Sequence, residues 1–518
     1  MRLSWLVLSA LALPLALAAQ APPAPAPAPP PGPALAQAAP MATLSLSDAL
    51  TQAKNNNPTY RQRLYAASTA RAQVRNAYGK LLPTASVGAG MNYTGQGQSN
   101  LGQGFTFTTP AVIGSSYNIG LQWQIDGSRI LAPKTQKANQ HAVEEDIANE
   151  ESNLRYTVTQ QYLTGLQSAA QIVVARQQVV RNKDFLELAQ AKYQVGQGTL
   201  IDVRQAEVQK AQSDVALLQS IQTDNEAKIE LFRLIGVAAP LPVDQIALSD
   251  TFQVTQPTYN LKDLMQIADE QNASIRALTA RSRAADASVT SAKTAYLPSL
   301  SMQASWSGFT QDQTDKGLLV NQALTGAQAS AAQCVSDSTI HAVVGLPPLG
   351  PGSCNTLSGL NAGGTALNPA LQQSLIDANS RFPFHFQSQP FVAFVSISLP
   401  IFTGFSRSLA IQQAREQAQD AEESVRAQVL QVHSDVQSRF LALQTAYQAI
   451  AVQAQSRDAA RDQLRLAEDR YRLGSGTSLE VSDAQNNVQR AEGDYVNAIY
   501  AYHKALSALE FAVGRPLR

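Results

Sequence analysis

The side chains best suited to chemistry are few and scattered. His141, His341, His385, His433 and His503 show no spacing that brings two imidazoles onto one metal ion. The five methionines form no thioether track for a soft metal. No Ser/His/Asp order and no phosphate-cradling motif stands out. The expectation is no enzyme activity, no cofactor and no metal. Cys334 and Cys354 are the two cysteines, and an exported chain would join them in a disulfide. Closing a loop of about 20 residues stabilises by roughly 3 kcal/mol.

What would hold such residues is an exported, elongated chain. Arg2 precedes an almost wholly apolar run over 3–17, and Ala16 and Ala18 fit a small-x-small cleavage site. The run is shorter than the ~18–20 residues that span a bilayer. Residues 1–19 therefore read as a signal peptide, with Ala34 and Ala36 marking a weaker second site. No cysteine follows to carry an N-terminal lipid, and 20–43 is a Pro/Ala-rich linker that cannot pack a core. The 518 residues carry 39 basic and 39 acidic side chains, so the formal charge is zero. That balance argues against nucleic acid, which rewards a basic face. Charged residues make up 15% of the chain, below the roughly 25% of soluble domains.

The chain is written twice. Tyr193, Gly196, Gly198, Thr199 and Asp202 recur as Tyr471, Gly474, Gly476, Thr477 and Glu480 at a constant spacing of 278. Leu82-Pro83 recurs as Leu297-Pro298 at a spacing of 215. The 63-residue excess is an insertion that ends before Arg407, the counterpart of Arg129. The expected layout is repeat 1 over 44–240, with a β-hairpin at 84–126 and a helical tip near 196, then a linker over 241–259. Repeat 2 follows over 260–516, with a β-hairpin at 299–402, an insertion over 310–390 and a tip near 474.

After each Leu-Pro the residues alternate. Ala85, Val87, Ala89, Met91 and Tyr93 share one face, and Thr84, Ser86, Gly88, Gly90 and Asn92 the other. Tyr117, Ile119, Leu121, Trp123 and Ile125 repeat the pattern, as do Leu300, Met302, Ala304 and Trp306. A fourth, less regular face holds Phe391, Ala393, Val395, Ile397, Leu399 and Ile401. Period two marks strands with one apolar face. At about 9–11 residues, each is long enough to cross a bilayer when tilted, with aromatics toward its ends. After 43 no segment reads as a spanning helix, so membrane entry requires a closed β-barrel. Two copies would give eight strands, a barrel filled by its own side chains; three copies give twelve and a pore.

Residues 407–471 contain neither Pro nor Gly, which as a helix would reach about 95 Å. Val436, Phe440, Leu443, Tyr447, Ile450 and Ala454 form a heptad seam, as do Val481, Ala484, Val488, Ala491, Tyr495, Ala498 and Tyr502.

The duplicated plan, the two Leu-Pro entries and the two Tyr-x-x-Gly motifs together resemble the TolC family of outer-membrane efflux proteins over 44–516. The resemblance implies a membrane α+β fold: a homotrimer with a 12-stranded outer-membrane β-barrel, four strands per subunit. A long periplasmic α-helical coiled-coil barrel continues it, with an internal two-fold repeat and short belt helices near 44–55 and 261–272. It implies outer-membrane lipid around the barrel, a periplasmic adaptor (membrane fusion protein), and an inner-membrane pump of RND, ABC or MFS type. The adaptor would meet the tips at Gly196, Gly198, Thr199, Gly474, Gly476 and Thr477. By the family's pattern the acidic gate ring falls on Glu480 and Asp483, which share a helix face, and the latch on Asp202 and Tyr471. A basic latch residue of the family falls on Gly476 and is missing.

The expected function is an outer-membrane duct for drug or solute efflux or for type I protein secretion. The alternative is a trimeric coiled-coil surface or structural protein with a β-barrel anchor, and the adaptor itself is a third. The insertion would face outside the cell as a lid, a surface target or a loose loop. Under non-reducing conditions, mass spectrometry of the exported protein is expected to find no free thiol; two free thiols would dismiss the Cys334–Cys354 pair.

Overall fold

The computed structural model describes residues 42–517 apart from 101–105, 241, 344, 346 and 348. The expected signal peptide and nearly all of the 20–43 linker lie outside the described residues.

Each half opens with a short belt segment. In the first, β1 (Ala42–Leu44), α1 (Leu46–Asn56) and α2 (Pro58–Gly79) lead to β2 (Thr84–Thr94). A small hairpin, β3 (Gly97–Asn100) and β4 (Thr106–Thr109), joins it to β5 (Val112–Ile125). Two helices follow, α3 (Gly127–Gln194) and α4 (Leu200–Ile235). The second half repeats this with β6 (Ile246–Leu248), α5 (Leu261–Gln271), α6 (Ala273–Lys293) and β7 (Ser299–Gln313). After the insertion's helices, α7 (Lys316–Val343), α8 (Pro351–Leu357) and α9 (Pro369–Asn379), come β8 (Gln387–Ser388) and β9 (Val392–Ser398). The chain closes with α10 (Ser406–Arg472) and α11 (Ser478–Val513). At 68 residues, α3 is about 100 Å long.

β2, β5, β7 and β9 form one antiparallel sheet in that order. The register aligns the apolar faces across it: Val87 lies opposite Ile119, Ile119 opposite Trp306, Trp123 opposite Met302, and Met302 opposite Val395. The other face carries Ser86, Gly120 and Ser305, with Gln122 and Gln303 further along. Val87, Met91, Ile119, Leu121, Trp306, Val395 and Ile397 are all exposed. An uncovered apolar face of that extent is a contact surface. Among the described residues no helix is long and apolar enough to cross a membrane. The fourth strand is shorter than expected and comes in two pieces on the same side of β7: the two-residue β8 pairs with Gly308 and Phe309, and β9 stops at Ser398, before Pro400. Leu399 and Ile401 thus fall outside the sheet. Where strands give way to helices, Arg129 donates to the Gln124 carbonyl at 3.0 Å and Arg407 reaches back to the Pro400 carbonyl.

The two core clusters repeat with the spacings seen in the sequence. Ala49, Ala53 and Tyr60 recur as Leu264, Ala268 and Ile275, 215 residues on. Val158, Leu231 and Ile235 recur as Val436, Leu509 and Val513, 278 residues on. A paired polar joint ties belt to helix in each half. Asn57 caps α2 through its carbonyl oxygen and donates its amide to the Leu234 carbonyl at 2.7 Å. Asn272 caps α6 and donates to the Ala512 carbonyl at 2.8 Å. Next to them Gly236 (φ 86°) and Gly514 (φ 89°) end α4 and α11. A Cβ at either would lie 2.6 Å from the carbonyl oxygen of Asn56 or Gln271, so only glycine fits the left-handed cap and the close approach.

The insertion is not the loose loop expected as one option. It is a small helical unit around Ala331, Leu360 and Leu367, and the Cys334–Cys354 disulfide joins α7 to α8.

Asn57→Ala or Asn272→Ala removes a cap and strands a buried carbonyl, a loss of about 1–3 kcal/mol. Each is expected to lower the thermal midpoint of the detergent-solubilised protein, and Gly236→Ala to lower it as well. An unshifted midpoint in both Asn variants would show that the joints bear no load.

Candidate functional site at the helical tips

Far from the sheet, each helix pair reverses through a short turn. α3 ends at Gly196 (φ 74°), and the Gln197 N–H closes back onto the Lys192 carbonyl at 2.8 Å. α10 ends at Gly474 (φ 79°), with the Ser475 N–H on the Arg470 carbonyl at 2.9 Å. These are glycine-terminated helix ends of the Schellman kind. Thr199 and Thr477 then cap α4 and α11. The Gly196, Gly198, Thr199 and Gly474, Gly476, Thr477 triplets therefore build the two reversals themselves.

The two tips lie side by side around Phe185, Val203, Leu464, Tyr471, Val481 and Val488. Equivalent residues do different work in them. Asp202 closes its own capping box, accepting from the Thr199 N–H at 2.9 Å and the Thr199 hydroxyl at 2.7 Å. Its other oxygen accepts from the Ser478 hydroxyl of the second hairpin. Its counterpart Glu480 turns instead to Arg470, 3.3 Å away. Lys192, the counterpart of Arg470, crosses to the second hairpin. There its ammonium donates to the Tyr471 carbonyl and sits 4.5 Å from the centre of the Tyr471 ring. Arg470 stays within its own turn and donates to the Ser475 carbonyl at 3.2 Å. A Cβ at Gly476 would meet the Arg470 Cβ at 3.0 Å.

Asp202 and Tyr471, expected to form a latch, are neighbours but do not bond to each other within the chain. Among the described residues the buried Tyr471 hydroxyl meets no hydrogen-bond partner. Burial, and then the Asp202 charge, push its ionisation above the usual phenol range. Burial alone would raise the Asp202 carboxyl, but the bonds from Ser478 and Thr199 and the Lys192 charge outweigh it and hold it below the usual carboxylate range. Of the expected gate pair, Glu480 faces Arg470 with both side chains well exposed, so the pair contributes under about 1 kcal/mol. Asp483 is exposed and, among the described residues, has no ion-pair partner.

About three turns above Glu480, Glu492 is buried between the hairpins, 3.1 Å from Arg181 of α3 and 2.7 Å from Arg461 of α10. A groove between α3 and α10 runs down from it past Leu464, Arg465, Glu468 and Arg472. Burial raises the Glu468 carboxyl above its usual range. Sequence reasoning missed Lys192, Arg470, Ser478 and the Glu492 clamp. The 278-residue spacing does pair Lys192 with Arg470 and so marks both as basic, but spacing says nothing of which way each side chain turns.

A long sheet with a bare apolar face thus continues into helices of about 100 Å that end in a polar, tightly turned tip. The outer membrane efflux protein family matches this chain over residues 49–237 and 358–515. Among solved structures, a membrane protein from Pseudomonas aeruginosa superposes with a TM-score of 0.65 at 19% identity, covering 91% of this chain and 90% of that one. CusC gives 0.65 at 18%, covering 91% and 92%. The open state of the MtrE outer membrane channel of Neisseria gonorrhoeae gives 0.62 at 19%, covering 92% and 90%. Those structures share the fold, and the family match spans most of the chain, which therefore belongs to the outer membrane efflux protein family as an outer-membrane efflux channel reaching into the periplasm.

Proposed function

We propose that three copies of this chain close one 12-stranded barrel and one helical tube, and that the tube delivers substrates handed over by an inner-membrane pump through a periplasmic adaptor. The observation that carries this reading is the open four-stranded sheet with free edges at β2 and β9. In lipid an unpaired edge is untenable, so copies must pair edge to edge until the ring closes. Eight strands would be filled by side chains, and twelve leave a lumen. The polar face of Ser86, Gly120, Gln122 and Gln303 lines that lumen, and the apolar face meets outer-membrane lipid. The adaptor's helical hairpin docks on the turns at Gly196–Thr199 and Gly474–Thr477 and into the groove beside Arg461, Glu468 and Arg472. Type I protein secretion uses the same duct with a different pump.

At the closed end Asp483 and Glu480 form the ring of carboxylates that selects cations. Arg470 offsets the Glu480 charge, so Asp483 carries most of the selectivity. Ser478 and Lys192 join the two hairpins of one chain where an Asp202–Tyr471 bond was expected. The Tyr471 hydroxyl, buried beside Asp202 without a hydrogen-bond partner among the described residues, is the group that turns to Asp202 as the latch when the tip tightens.

The mass of the detergent complex and planar-bilayer recordings test the assembly: a monomer would refute both the duct and the stalk, and a trimer without conductance would favour the stalk. In a salt gradient, Glu480→Gln with Asp483→Asn is expected to weaken cation selectivity and Arg470→Gln to strengthen it; unchanged reversal potentials would count against the ring. The Asp202–Ser478 bond is present above the ordinary carboxyl range and lost only as pH falls through the lowered Asp202 value. Ser478→Ala removes one cause of that lowering, so acid-induced rise in conductance should begin at a higher pH than in the unaltered protein.

A further inference from the structure

The insertion enters from the top of β7 and returns to β9, and its root does not lie over the pore face of the sheet. Faces alternate strictly along β5 and β7, whose register is unbroken from Val112–Gln313 to Ile125–Leu300. Ser115 and Tyr117 therefore share the apolar face of Ile119 and Leu121, and Gly308, Thr310 and Asp312 share that of Trp306. The returning chain packs against these residues. Ser115 donates to the Pro383 carbonyl at 2.5 Å and lies 2.8 Å from the Thr310 hydroxyl. Asn379 donates to Asp312 at 2.5 Å and accepts from the Gln313 N–H at 2.8 Å. Phe386 meets Tyr117 edge-on, with ring centres 5.0 Å apart. A Cβ on Gly308 would strike the Tyr117 ring at 2.6 Å. Burial follows the same parity: Gly308 and Thr310 are buried, whereas Phe309 and Gln311, on the opposite face, are exposed.

We propose that this root is a collar seated in the outer leaflet, with the segment 381–386 as its lipid-binding edge. The inference rests on the apolar strand face meeting lipid. Phe382, Phe384 and Phe386 alternate here with Arg381 and His385. Phe384 is 74% exposed and projects from a segment lying on the lipid side of the rim. Aromatic rings beside a cation suit the boundary between acyl chains and anionic headgroups. A second copy does not cover this segment, because it lies on the two middle strands, β5 and β7, whereas neighbours pair at the edges β2 and β9. The root itself leaves the polar face of the sheet uncovered.

Single-tryptophan variants reconstituted in vesicles test this. In one, Trp306 is kept and Trp5 and Trp123 become Phe; in the other all three become Phe and Phe384→Trp is added. The exposure of Phe384 makes that change compatible with folding. Phosphatidylcholine brominated near the headgroup end of its chains is expected to quench both reporters, with aqueous iodide leaving F384W largely unquenched. Lipid quenching of Trp306 alone, with iodide quenching of F384W, overturns the collar and leaves the barrel standing. Lipid quenching of neither reporter overturns the barrel reading first.

Discussion

A peptide group in hydrocarbon has no water to bond with, and that constraint governs the molecule. Inside the four-stranded sheet every strand but two is paired on both sides. The free edges of β2 and β9 can be satisfied only by other copies of the sheet. Closure fixes the rest. A ring of strands that each continue into a helix becomes a ring of helices, and helices of about 100 Å carry the ring far from the membrane. The residues that do work at the far end, on Gly-terminated turns, are thus brought together by a requirement imposed at the near end.

The duplication is kept where belt and helix join and broken at the tips. The Asn57–Gly236 and Asn272–Gly514 joints are nearly superposable in chemistry, because each must satisfy the same stranded carbonyl and the same tight backbone approach. At the tips the halves diverge. Asp202 faces Ser478 and Glu480 faces Arg470, while Lys192 crosses between hairpins and Arg470 does not. Six hairpin tips in a trimer would then alternate between two kinds, a three-fold rather than six-fold end.

The strands and long helices were legible because each rests on a periodicity written in the residues: alternation around Val87, Ile119 and Trp306, and heptads through Val436 and Phe440. The fold and efflux role came only through the resemblance carried by the duplicated plan, the Leu-Pro entries and the Tyr-x-x-Gly motifs, and they stand with the match over 49–237 and 358–515. The insertion was not legible. Apart from the expected Cys334–Cys354 pair, its Gly, Ser and Asn content reads as loop, yet α7 is rich in Ala, the best helix former, and packs into a small core. Pro400 ended the fourth strand early, a signal present in the sequence that the apolar alternation masked. The tip positions were found by spacing, but their partners were not. Whether Asp202 bonds Tyr471 or Ser478 depends on rotamers and on how two hairpins settle against each other, which no linear pattern encodes.

Glu492, shared by Arg181 and Arg461, pins the two hairpins of a chain together only 12 residues above Glu480, about 18 Å along the helix. It is a fulcrum set near the end of a very long lever. Tilting the last turns by ten degrees about it would carry the Glu480 carboxylate sideways by about 3 Å. A small hinge near the end of a stiff rod thus shifts a charge by roughly the width of a water molecule.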